Sequence, residues 1–193
     1  MAGNWEINVV DGKLPQKVAS AVAGLGEKLI GAEYTPIAYL GSQVVNGTNH
    51  AVLAKQIVTT GRDTKNIVVL VFNEKPHDTE LALVRIENVV NGGDELGGVA
   101  IDVKTEFPED AVAAWHDAFD GFVGSKVEPF AYLGSQVVKG IDHIFIAEVC
   151  PVVENPVKKI AIVVVNSLTK TASFMDILSN KLDATLGYAF TWL

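Results

Sequence analysis

Pro36-Ile-Ala-Tyr-Leu-Gly-Ser-Gln-Val-Val-Asn-Gly-Thr-Asn-His50 returns as Pro129-Phe-Ala-Tyr-Leu-Gly-Ser-Gln-Val-Val-Lys-Gly-Ile-Asp-His143, with eleven of fifteen positions identical at a spacing of 93. The same spacing carries Pro15 to Pro108, Gly31 to Gly124, Lys65 to Lys158 and Asn73 to Asn166. A chain of 193 residues therefore reads as two copies of one unit, 1–92 and 93–193. Self-similarity at a fixed period is the signature of a duplicated supersecondary unit. The tract Asn91-Gly-Gly-Asp-Glu-Leu-Gly-Gly98, rich in glycine and acid, is the natural connector.

Outward from the repeated stretch, each copy has the same order. A strand at Trp5–Val10 precedes a helix entered at Pro15, where a missing N–H costs nothing. Val18/Ala19, Val22, Leu25 and Leu29 form its apolar stripe, although Gly24 and Gly26 each weaken a helix by about 1 kcal/mol. The second copy places Ala111/Val112, Trp115, Phe119, Phe122 and Val123 at helical spacing. Gly31 and Gly124 are expected to stop these helices. Strands follow at Thr35–Val45, Asn49–Thr59, Asn66–Asn73 and Glu80–Val90, and again at Glu128–Val138, Asp142–Val153, Lys159–Asn166 and Ala172–Leu178. The apolar run Ile67–Phe72 suits a strand inside a sheet rather than at its edge. The fold class is α+β: two units, each with one helix across an antiparallel sheet of about five strands.

Composition narrows the partners. Fifteen Lys+Arg against 23 Asp+Glu leave a net charge of −8, which repels nucleic acid and anionic membrane surfaces. Apolar runs of six residues, Ile67–Phe72 and Ile160–Val165, fall far short of the roughly 20 needed to cross a bilayer. Met1–Trp5 has neither the basic start nor the apolar core of a signal peptide. The expectation is a cytoplasmic protein, although a secreted form after processing would show the same start.

Catalytic chemistry is not expected. Cys150, the single cysteine, lies in a strand beside Pro151 with no helix N-terminus to lower its pKa, and reads as a buried structural residue. His50 and His143 are copies of each other at a strand start and read as packing residues. His77 falls in a loop, His116 on a helix, and no pair has metal-ligand spacing. Gly41-Ser42 and Gly134-Ser135 are not nucleophile elbows, and Gly24, Gly26 and Gly31 do not form a dinucleotide fingerprint. No cofactor or metal is read from the sequence, and the protein is expected not to be an enzyme.

The informative motif is Gln43-Val44-Val45-Asn46-Gly47 with its copy Gln136-Val137-Val138-Lys139-Gly140. Asn46-Gly47 is the preferred dipeptide of a two-residue hairpin in which both residues take positive φ. The bland reading is a good turn copied by duplication. Two valines at a loop tip argue instead for a binding surface. The glutamine offers amide groups to a partner's backbone, and the glycine lets another chain approach closely.

This arrangement resembles the cystatins, and among them the disulfide-free stefins. Gln43-Val-Val-Asn-Gly-Thr-Asn-His50 is similar to their Gln-Val-Val-Ala-Gly-Thr-Asn-Tyr. Phe72-Asn-Glu-Lys-Pro-His-Asp-Thr-Glu-Leu-Ala-Leu83 resembles their second hairpin, and Asp94-Glu95-Leu96 their C-terminus. The resemblance covers nearly all of each unit. It implies reversible, non-covalent inhibition of papain-like cysteine proteases by a wedge that fills the active-site cleft. In the first unit the wedge would comprise the trunk at Gly3 and Asn4, the first loop Gln43, Val44, Val45, Asn46 and Gly47, and the second loop around Pro76 and His77. In the second unit it would comprise Gln136, Val137, Val138, Lys139 and Gly140, with Gly97 and Gly98 as trunk glycines inside the chain. The segment Asn166-Ser-Leu-Thr-Lys-Thr-Ala172 lacks the second-loop proline, and Lys139 replaces a small residue. The first unit is thus expected to be the better inhibitor.

Asn46-Gly47-Thr48 is also a glycosylation sequon, and a glycan there would block the wedge. Inhibition by this unit therefore calls for a cytosolic setting, a prokaryotic host or an unoccupied site. The rival reading is a duplicated cystatin-fold binding or scaffold module without inhibitory activity, because fold alone does not fix function. The chain would be a monomer or a strand-exchanged dimer.

Overall fold

The computed structural model describes residues 3–11, 13–61, 63–93 and 97–178. Two compact units divide the chain, Met1–Gly92 and Gly93–Leu193. Asp94-Glu95-Leu96, which carried part of the stefin resemblance, lies outside the described residues.

In the first unit β1 (Trp5–Asp11) is followed by α1 (Gln16–Ala23), α2 (Leu25–Lys28), β2 (Ala32–Val45), β3 (Gly47–Val58), β4 (Thr64–Glu74) and β5 (Ala82–Asn91). The five strands form an antiparallel sheet in the order β1-β2-β3-β4-β5. The second unit runs β6 (Val99–Lys104), α3 (Glu109–Phe119), β7 (Ser125–Val138), β8 (Gly140–Pro151), β9 (Lys159–Asn166) and β10 (Ala172–Asp176), with sheet order β10-β9-β8-β7-β6.

Helix on sheet makes the core of each unit. Val18, Val22 and Leu25 pack on Tyr39, Val52, Ala54, Val68, Leu70 and Phe72. In the second unit Ala111 and Ala114 sit on Tyr132, Phe145, Ala147, Ala161, Val163 and Val165. These small helical residues bring the helix close, and Trp115 and Phe119 fill the margin, with Trp115 edge-on to Phe145 at 4.9 Å between ring centres. Along β4 the alternate residues Ile67 and Val69 are also fully buried, so this interior strand is covered on both faces, as a continuous apolar run requires.

Three local expectations are corrected. The first helix breaks at Gly24 and resumes for a single turn, because Gly24 and Gly26 within three residues each weaken the ladder. The second helix stops at Phe119, so Phe122 and Val123 are not on its stripe; Gly121 takes φ +70, and Val123 is 87% exposed. Gly31 and Gly124, at φ +94 and +102, stand at the entry to β2 and β7 rather than at a helix end.

The repeat is also not gapless. Trp5 pairs with Gln43 and Val99 with Gln136, so the first strands correspond at a spacing of 94 while the hairpins keep 93. The second unit uses one residue fewer between its first strand and its helix. Both β2 and β7 carry two register shifts, the second at Tyr39/Gly41 and Tyr132/Gly134. Such bulges bend a strand, and here they fall where β1 and β6 cross close. A Cβ on Gly41 would lie 2.2 Å from the Glu6 carbonyl oxygen, and one on Gly134 2.1 Å from that of Ala100.

Candidate binding edge at the hairpin end of each unit

The β2–β3 hairpin reverses with Val45 paired to Gly47 and Asn46 alone at the apex. Gly47 has φ +99, whereas Asn46 is not among the positive-φ residues. The expected two-residue turn is therefore corrected to one in which only glycine is left-handed. That explains why lysine can occupy the apex of the second hairpin, where Gly140 has φ +93 and Lys139 needs no unusual backbone.

Gln43 is not free to meet a partner, contrary to its sequence reading. It is 6% exposed; its Nε2 donates to the Gly3 carbonyl (2.9 Å), and its Oε1 accepts from Asn49 Nδ2 (3.2 Å). The Gly3 N–H donates to the Val44 carbonyl at 2.8 Å. The glutamine is thus a clamp holding the N-terminal segment beside the hairpin. Its copy repeats the bond, Gln136 Nε2 donating to the Gly97 carbonyl at 2.6 Å. Gly97 therefore corresponds to Gly3, through the one-residue shift of the first strands. With each clamp in place, Val44 is 69% and Val137 72% exposed.

The second loops lie against these tips. Gly47 fits against the backbone of Glu74 and Lys75, where a Cβ would come 2.3 Å from the Glu74 carbonyl oxygen. Asn4, Pro76 and His77 are exposed. In the second unit the Ser167 N–H donates to the Ile141 carbonyl, and the Ile141 N–H to Ser167 Oγ, both at 2.9 Å. Although proline is missing, the loop is kept by another device. Asn166 Oδ1 accepts the Leu168 and Thr169 N–H groups at 2.9 and 2.8 Å, and the Lys170 N–H donates to the Asn166 carbonyl at 3.0 Å. Such side-chain-to-backbone bonds make asparagine a turn former. Lys170 has φ +56 and His77 φ +75; each lies four residues past the aligned asparagine, in loops that differ in length by four residues. Nothing in the local composition announced either residue as left-handed.

Beneath the first tip runs a chain of polar groups. The Tyr39 hydroxyl shares a hydrogen bond with His50 Nδ1 (2.9 Å), His50 Nε2 faces Glu74 Oε2 (3.2 Å), and Glu74 also binds Lys17. The Lys17 ammonium and then His50 hold the Glu74 carboxyl below its ordinary value. In the second unit the partners change. His143 is 2% exposed, with Tyr132 Oη at 3.4 Å and Asp110 Oδ2 4.0 Å away. Burial outweighs the attraction of Asp110 and Asp142 and pushes its pKa down. His143 is thus a buried packing residue, whereas His50 is part-buried and links Tyr39 to Glu74. Cys150 is half-buried in β8, not buried as expected. Among the described residues no cluster of three or more His, Cys, Asp or Glu could hold a metal, and no helix is long and apolar enough to cross a membrane.

No protein-family model matches the chain, and no curated protein matches it.

Proposed function

We propose that the chain is a tandem, reversible, non-covalent inhibitor of papain-like cysteine proteases, each unit docking the cleft through its hairpin end. One observation carries this reading. Twice, the glutamine of a Gln-Val-Val-x-Gly loop ties down a glycine of the preceding segment and leaves a valine exposed beside a second loop. Three segments thus end on one edge with an apolar tip. Such an edge is suited to filling a cleft: burying a valine contributes about 1.5–3 kcal/mol. Its backbone bonds are already made, which limits the ordering cost of docking. The inhibitor needs no reacting group of its own, since occupation of the cleft excludes substrate. A standard interface would bury roughly 800 Å² on each partner.

The test is titration of active papain with the chain, following hydrolysis of a small fluorogenic substrate. Inhibition saturating at two proteases per chain is expected. Val44→Asp with Val137→Asp should abolish it, because each aspartate would be desolvated without a partner. Both sites are exposed, so the fold should survive, as circular dichroism would show. Glutamate at Gly47 or Gly140 would be a poorer probe: their positive φ and near contacts strain any side chain whether or not a protease binds. Absence of inhibition by the wild-type chain at micromolar concentration would favour the scaffold reading.

A further inference from the structure

The two hairpin ends share a backbone plan but not a surface chemistry. Where the first unit has Asn46, Thr48 and Lys75, the second has Lys139, Ile141 and Leu168. Val137 pairs with Ile141 across the hairpin, so both lie on one face. Leu168 stands beside Gly140, where an added Cβ would come 2.7 Å from its own Cβ, and is 58% exposed. Val137, Val138, Ile141 and Leu168 all remain solvent-exposed, although the loops that carry them are stitched together. Asn166 Nδ2 donates to Asp142 Oδ1 (2.7 Å) and to the Lys139 carbonyl (3.3 Å). The edge is therefore assembled before any partner arrives.

At its apex is a cation. No ion pair among the described residues involves Lys139. The Asp142 carboxylate accepts from Asn166 Nδ2, and Lys170 pairs with Asp117 at 3.3 Å. An ammonium inside an apolar rim can be desolvated only against an opposite charge. We propose that the hairpin end of the second unit docks a protein cleft with an apolar floor and a carboxylate at its rim, Lys139 meeting the carboxylate and Val137, Val138, Ile141 and Leu168 covering the floor. The first end has a neutral apex, and its cation, Lys75, stands on the second loop instead. Lys139 is then a specificity-determining contact rather than a handicap, and the second unit is not the lesser one. This inference rests on the protease-docking reading of the hairpin ends.

The experiment uses the full chain with one end silenced at a time, Val44→Asp or Val137→Asp. Each variant is titrated against active-site-blocked papain and against the same papain with its surface carboxyls amidated. The Val44→Asp chain should bind papain and lose at least about tenfold on amidation, a difference of about 1.4 kcal/mol. The Val137→Asp chain with Lys75→Ala added should change less than about threefold, which controls for damage to papain. In the Val44→Asp background, Lys139→Ala should weaken binding to untreated papain and remove the sensitivity to amidation, while Leu168→Asp should abolish binding. Full affinity in the Lys139→Ala or Leu168→Asp chain would overturn the inference. So would loss of all binding in Val44→Asp with retention in Val137→Asp, an outcome that leaves the protease-docking reading intact. If the wild-type chain neither binds nor inhibits papain, both readings fall.

Discussion

At the scale of single residues, the amide of Gln43 spends its hydrogen bonds inside the molecule. Gln43→Ala should therefore leave the fold in place but release the Gly3 segment, seen as faster amide exchange at Gly3, whose N–H is held by Val44. Gly47 is equally constrained: Gly47→Ala should cost about 1–2 kcal/mol for the left-handed backbone alone, with the contact to the Glu74 carbonyl adding to it. Asn46→Ala, at an ordinary φ, should stay within about 0.5 kcal/mol. Chemical denaturation would separate the two. His143 sets a pH dependence. Its pKa in the fold is below the ordinary 6.5, so between those values the unfolded chain binds more protons and stability rises with pH. Acidification below about 6.5 should weaken the second unit, the loss being complete below the folded pKa. His143→Phe should flatten that part of the denaturation-versus-pH curve, with Tyr132, Asp110 and Asp142 unchanged around it. Glu74 acts at lower pH: its depressed pKa stabilises the first unit above the ordinary 4.5 and that contribution fades as pH falls through the folded value.

At the scale of elements, the long strands β2 and β7 depend on glycine where the first strands cross them. Gly41→Ala and Gly134→Ala would each drive a methyl into a carbonyl oxygen of the neighbouring strand. Each should destabilise its unit by about 1–3 kcal/mol, as overpacking does, and the loss should be visible in thermal melts. The second loops differ in length: the first closes Phe72 to Leu83, and the second closes Val165 to Ala172 with the Asn166 side chain holding the turn. Asn166→Ala should loosen the second loop of the second unit, raising amide exchange at Leu168 and Thr169, while leaving the first unit untouched. Helix boundaries were less legible than strands. Helical spacing extended the α3 stripe to Val123, but Gly121 turns the chain after Phe119, because a left-handed residue ends the ladder regardless of the apolar pattern.

At the scale of the whole molecule, duplication supplies two edges on one chain, and the proposed function turns on how many of them work. Titration should end at two proteases per wild-type chain and at one for Val44→Asp or Val137→Asp alone. Two proteases per chain in either single variant would detach the tips from binding. What the amino-acid order determined by itself was the repeat, the α+β class, the antiparallel strands, the interior place of β4 and the position of the Gln-Val-Val-x-Gly loops. These follow from periodicity and turn chemistry, which act over a few residues. Tertiary structure alone decided the rest. It assigned Gln43 to Gly3 across forty positions, matched Gly97 to Gly3 through a one-residue register change, and showed that Asn46 needs no left-handed backbone. It also placed Leu168 beside Gly140. Such pairings depend on which strand edges meet, and neither composition nor local spacing records that.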